Sequence, residues 1–244
     1  MLLLPLLIPQ ALWVRSRTLR LPEPEGKRSC VADTSDNAKK SISVLIAGDS
    51  AAAGVGVVNQ SHALSGQCER CLSDCFHVSW HLFAKTGFKS AELLKQIEQL
   101  EISNIDVAVI SIGVNDVTRF TSVASWRSHI QGITAHLLSH QRCKLIIYTA
   151  LPPMHLFPAL PQPLRWVLGK RALILNQVLC DEASKHPQVK MLFVPLNQND
   201  SAHNYMALDG FHPGEAGYRL WAEAVAKLVN EELDGLVGNA FNLS

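Results

Sequence analysis

From Ile42 onward, short apolar runs alternate with longer stretches that carry apolar residues at helical spacing, and this alternation leaves few folds open. The runs are Ile42 to Ala47, His77 to Phe83, Asp106 to Ile112, Lys144 to Ala150 and Lys190 to Val194. Leu64 to Cys75, Ser90 to Leu100, Ser122 to His140, Leu164 to Lys185 and Gly214 to Leu233 read as helices, with capping residues or Pro and Gly nearby. A βαβαβαβαβα order demands a mostly parallel sheet with helices on both faces, that is, an α/β protein built as a three-layer α/β/α sandwich. Right-handed crossovers make a flavodoxin-like, five-stranded parallel sheet of order 2-1-3-4-5 the expected topology.

With 244 residues, 48% hydrophobic and 18% charged, the chain suits one sizeable core. The folded domain is expected over 42–233, preceded by an apolar segment and polar linker over 1–41 and followed by a tail over 234–244. Met1 to Val14 is almost wholly apolar but broken by Pro5 and Pro9, and it is shorter than the roughly 20 residues of a spanning helix. Arg15, Arg17 and Arg20 follow it, whereas a secretory signal opens with its basic residues. The expectation is a cytoplasmic or peripherally membrane-associated protein, its arginines at lipid headgroups or its apolar segment packed on the domain. A cleaved signal, giving a periplasmic or secreted protein, is the alternative. From Leu21 to Ser41 the chain turns polar and reads as a linker.

A net charge of +1, with no basic run interleaved with aromatics, argues against nucleic acid as a partner. Leu64, Cys68, Cys71, Leu72 and Cys75 share one helical face, so the clustered cysteines read as core positions rather than metal ligands. Cys30, Cys143 and Cys180 are scattered, as free thiols would be.

In an open parallel sheet the site lies at the carboxyl ends of the strands, where strand order reverses. Gly48-Asp49-Ser50 follows the first run and Gly113-Val114-Asn115-Asp116 follows the third, so two polar motifs converge on one crevice. Ser50 leaves a buried strand and enters the small residues Ala51-Ala52-Ala53-Gly54, a setting that allows a tight turn presenting a nucleophile. For the tripeptide alone, a plain turn followed by a helix cap is the stronger reading. In Asp209-Gly210-Phe211-His212-Pro213, the proline suits the first position of the last helix and leaves His212 outside it. Asp209 can then fix one imidazole nitrogen and leave the other for Ser50. Asn115 offers a side-chain amide, and Gly87, after Ala84-Lys85-Thr86, an unobstructed backbone N–H, as donors to an oxyanion.

Together, in this order, these blocks resemble the SGNH (GDSL-like) hydrolase family over roughly Ile42 to Glu232. The resemblance implies ester hydrolysis through an acyl-enzyme on Ser50, with His212 and Asp209 completing the triad. It implies an oxyanion hole from the Ser50 and Gly87 N–H groups and the Asn115 amide. No metal or organic cofactor is required. The family's usual leucine after Gly-Asp-Ser is Ala51 here.

The proline-rich apolar stretch Leu151 to Pro163 follows the fourth run on the same face, and Met154, Leu156 and Phe157 are its candidate substrate contacts. The expected substrates are short- to medium-chain acyl esters or lysophospholipid-like lipids. Acyl transfer to an alcohol, or deacetylation of a carbohydrate, would use the same triad. From a different class, a non-catalytic flavodoxin-like binding domain finds little support, because Gly54-Val55-Gly56 lacks a third glycine and no Gly-Lys-Ser/Thr phosphate loop occurs.

Overall fold

The strands form where the apolar runs predict them. In the computed structural model they are β2 (Lys40–Gly48), β3 (Phe76–Ala84), β4 (Val107–Ser111), β5 (Leu145–Thr149) and β6 (Val189–Leu192). The structure describes residues 4–34, 39–102, 104–157, 159–195 and 204–240. β2, β4 and β5 lie inside the sheet with both faces covered, and their sequences are accordingly near-continuous Val, Ile, Leu and Ala. β3 alternates buried and half-buried residues.

The helices are α1 (Leu4–Arg17), α2 (Ser50–Ala53), α3 (Leu64–Leu72), α4 (Ser90–Glu98), α5 (Val114–Thr118), α6 (Val123–Ser139), α7 (Leu164–Ala183) and α8 (Glu215–Ala240). Successive residues of each strand feed opposite layers. Leu45, Ala108, Ile110, Ile146 and Tyr148 pack with Leu93, Trp126 and Leu175 of α4, α6 and α7. Val44, Ile46, Val107, Val109 and Ile147 pack with Leu64, Tyr218 and Val225 of α3 and α8. The three-layer sandwich is thus two cores separated by one sheet.

The sheet corrects the expected strand count and order. Among the described residues it has six strands in the order β1-β3-β2-β4-β5-β6, and β1 (Ser29–Cys30) is antiparallel to β3. The five predicted strands keep their relative order within it. β1 has too few residues to show a period, and it lies in the polar stretch read as a linker. That stretch is also bridged from Glu25 to Asn59, while residues 35–38 of it lie outside the described residues.

At the N-terminus, α1 is a helix despite Pro9. Leu7 and Val14 pack on the core, and Gln10 bonds the Gln162 carbonyl at 2.6 Å and the Leu164 N–H at 3.1 Å, seating α1 at the start of α7. Residues 1–3 lie outside the described residues. At the other end, α8 runs to Ala240, through most of the stretch read as a tail, and 241–244 lie outside the described residues. α3 stops at Leu72, so Cys75 lies beyond the helix and is exposed, while Cys68 is buried and Cys71 half-buried. All six cysteines are free thiols.

Candidate active site

Three strands end at one level and release their loops into one crevice. Gly48 at the end of β2 is paired with Ala84 of β3 on one side and Ser111 of β4 on the other. The chain must pass very close there, since a Cβ on Gly48 would fall 1.8 Å from the Ser111 carbonyl oxygen. Glycine is therefore required by contact, before any question of chemistry. Ser50 follows two residues later as the first residue of α2, whose N-cap is Asp49, with its carboxylate accepting the Ala51 N–H at 3.1 Å.

His212 arrives from the far end of the chain. Its Nε2 lies 2.8 Å from Ser50 Oγ, and its Nδ1 lies 2.6 Å from Asp209 Oδ2. The second Asp209 oxygen accepts the Phe211 and His212 backbone N–H groups, each at 3.0 Å. One carboxylate thus shapes the turn and orients the ring. The Asp209 side chain is fully enclosed, while His212 retains access to solvent. Burial pushes the Asp209 carboxyl up, but its hydrogen bonds from the His212 ring and the two amides outweigh that and hold it below the usual carboxylate range. An ionised Asp209 favours the tautomer with a proton on Nδ1, leaving Nε2 as the acceptor for the Ser50 hydroxyl.

The two further donors expected from the sequence lie side by side. Gly87 takes φ +86°, and the space where its side chain would point meets only the tip of Arg119, at 3.6 Å. Asn115 lies in the first turn of α5, and its Nδ2 donates to the carbonyl of Phe88, the residue after Gly87, at 2.9 Å. A side-chain amide carries two protons, so one remains for another acceptor. The turn that carries Gly87 is strapped from outside by Glu23, whose carboxylate accepts the Thr86 N–H at 2.7 Å and its hydroxyl at 2.8 Å.

The sequence matches the profile of the GDSL-like Lipase/Acylhydrolase family over residues 46–220, well over half its length. The chain belongs to that family. Membership supports hydrolase activity on esters, and similar solved structures share the fold. A lipase from goat rumen metagenome is 19% identical with a TM-score of 0.61, covering 77% of this chain and 97% of that one. A lipase/acylhydrolase from Enterococcus faecalis is 20% identical with a TM-score of 0.58, covering 78% and 96%. A family 3 carbohydrate esterase from Clostridium thermocellum is 15% identical with a TM-score of 0.63, covering 81% and 99%. No curated protein matches the chain.

In this GDSL-like hydrolase the proline-rich stretch folds differently from the expectation that three of its side chains face substrate. Met154 has no exposure and Phe157 only 4%, because the stretch folds inward and is pinned by Asn176, which bonds both the N–H and the carbonyl of Leu151. Leu156 is exposed, and Pro158 lies outside the described residues. The Phe157 ring meets Phe211 edge-on at 5.2 Å, and Phe211 meets the His212 ring at 5.5 Å.

Sequence reasoning missed three polar groups beneath the site of this family member. Asp49 and Asp116 are buried carboxyls, and Ser90 is a buried hydroxyl. Asp116 Oδ2 accepts the Ser90 N–H at 2.9 Å, while its Oδ1 accepts the Ser90 hydroxyl at 2.7 Å. Ser90 Oγ is also 2.8 Å from His129 Nδ1. The available signal was an acid standing directly beside a candidate residue in each of two otherwise apolar blocks.

Proposed function

We propose that this chain hydrolyses carboxylic esters through an acyl-enzyme on Ser50, acting on short- to medium-chain acyl esters or lysophospholipid-like lipids. The single observation that carries the reading is His212, held between Ser50 Oγ at 2.8 Å and a buried Asp209 at 2.6 Å. As Ser50 attacks the ester carbonyl, its proton passes to His212 Nε2, and Asp209 stabilises the imidazolium. The oxyanion forms against the Ser50 and Gly87 N–H groups and the free proton of the Asn115 amide. Collapse of the intermediate expels the alcohol, which takes the proton from His212. Water then repeats the sequence on the acyl-enzyme and releases the acid. No step calls for a metal or an organic cofactor.

The test is a chain-length series of chromogenic acyl esters, hydrolysed by the wild-type protein and Ser50→Ala in parallel. Ser50-dependent turnover is expected, with a preference within the short to medium range. Equal turnover by Ser50→Ala overturns the mechanism. Adding an alcohol and analysing the products separates hydrolysis from acyl transfer, which share the acyl-enzyme.

A further inference from the structure

Helix α1 is apolar on the side that meets the domain and apolar on the side that does not. Leu7 and Val14 pack on the core, while Leu6, Ile8, Leu12 and Trp13 are 49, 57, 62 and 50% exposed. A surface helix that met only water would carry polar residues on its outer face. The charge along this stretch of sequence has one sign. No Asp or Glu occurs before Glu23, whereas Arg17 and Arg20 are exposed at the end of the apolar stretch. The Arg17 guanidinium lies 5.5 Å from the centre of the Trp13 ring. An apolar body, a tryptophan and arginines without acids match the boundary between acyl chains and anionic headgroups.

The position of α1 adds a third observation. Trp13, Arg17, Leu19, Ala159, Leu208 and Asp209 line a cavity of about 250 Å³. Leu208 is 94% exposed, and its neighbour Asp209 is the partner of His212. The exposed apolar helix therefore flanks an opening whose wall includes Asp209, the residue bonded to the His212 ring.

We propose that α1 docks this protein on an anionic lipid surface and thereby holds the cavity between α1 and Leu208 against the lipid, where an acyl chain enters. This narrows the substrate to lipid esters presented at such a surface, and to that extent it rests on the Ser50 reading. The exposed side chains of α1 enter the acyl boundary, and the arginines meet the headgroup phosphates. Short soluble esters reach Ser50 without docking.

The full chain carrying Ser50→Ala, so that lipid is not consumed, is sedimented with vesicles of phosphatidylcholine alone and of phosphatidylcholine mixed with phosphatidylglycerol. Preferential binding to the mixed vesicles, weakened by salt, is expected. Adding Ile8→Asp and Leu12→Asp, both outside the cavity, lowers partitioning at least about 100-fold. The same pair in the Ser50 background leaves turnover of a soluble short-chain ester unchanged. Failure of the protein to bind mixed vesicles, equal binding to pure phosphatidylcholine, or undiminished binding of the double variant overturns the proposal. So does a double variant that only converts a dimer to a monomer, since a second copy would then cover the strip. Vesicle binding without any Ser50-dependent turnover leaves the docking helix standing and removes the Ser50 reading.

Discussion

Both oxygens of Asp116 are bonded to Ser90, one to its N–H at 2.9 Å and the other to its hydroxyl at 2.7 Å. Ser90 opens α4, three residues after Gly87, and Asp116 follows Asn115. The pair therefore ties together the two loops that carry the proposed oxyanion donors. Asp116→Ala strands the buried Ser90 N–H and leaves the Ser90 hydroxyl with His129 as its partner, and it is expected to cost about 1–3 kcal/mol of stability. It should also lower kcat more than it raises KM. Denaturant unfolding and steady-state kinetics on the same preparation test this; unchanged stability would show that water replaces the carboxylate.

Asn115→Ala is expected to lower kcat by about 100- to 1000-fold with little change in KM, since the oxyanion exists only after attack. Loss of the Asn115 bond to the Phe88 carbonyl is expected to bring a small stability loss alongside. A large rise in KM at constant kcat would instead assign Asn115 to ground-state binding.

Asp209 shapes a turn and orients a ring, so its variants should separate the two tasks. Asp209→Asn retains an oxygen for the Phe211 and His212 amides but removes the charge that faces the imidazolium. It is expected to fold normally and to lose about 100-fold or more in kcat. Asp209→Ala should lose activity and also stability. Thermal unfolding beside kinetics distinguishes them.

Gly48→Ala is expected to prevent folding or to cost more than about 3 kcal/mol, because the obstacle is a backbone carbonyl that belongs to the neighbouring strand. Soluble expression and circular dichroism report the outcome directly.

Asp49 predicts a pH dependence of stability. Burial pushes its carboxyl from 3.8 up to about 7, against the pull of the Ala51 N–H and the His212 charge, with Asp116 pushing it further up. Between those values the folded state holds a proton that the unfolded chain releases, so this group's contribution to stability falls as pH rises through that window and is level above it. Asp49→Asn keeps a capping oxygen for α2 and should flatten that fall. Denaturation midpoints from about pH 4 to about pH 8 compare the two proteins, and equal slopes would rule Asp49 out as the source.

The parts of the molecule legible in the sequence are those whose cause is local. Val107 to Ser111 must be a strand buried on both faces because it has no polar side to show until Ser111. Ser50, Asn115 and His212 stand beside glycines or a proline that mark where elements end. The obscured parts depend on partners distant in sequence. β1 is a strand only because Ser29 and Cys30 meet His81 and Trp80. α1 is held by Gln10 reaching residues of the α7 start, which nothing in its own prolines announces. Met154 reads as a substrate contact because it lies in an apolar loop, and only the fold shows that loop turned inward.

Ser50 and His212 are 162 residues apart and lie 2.8 Å from each other. A ribosome that has released the first of them has almost the whole domain still to make before the second emerges. Throughout its own synthesis the chain therefore carries an unarmed serine. On the proposed mechanism, turnover becomes a readout of complete assembly: a fragment or a stalled chain that lacks His212 is silent rather than partly active.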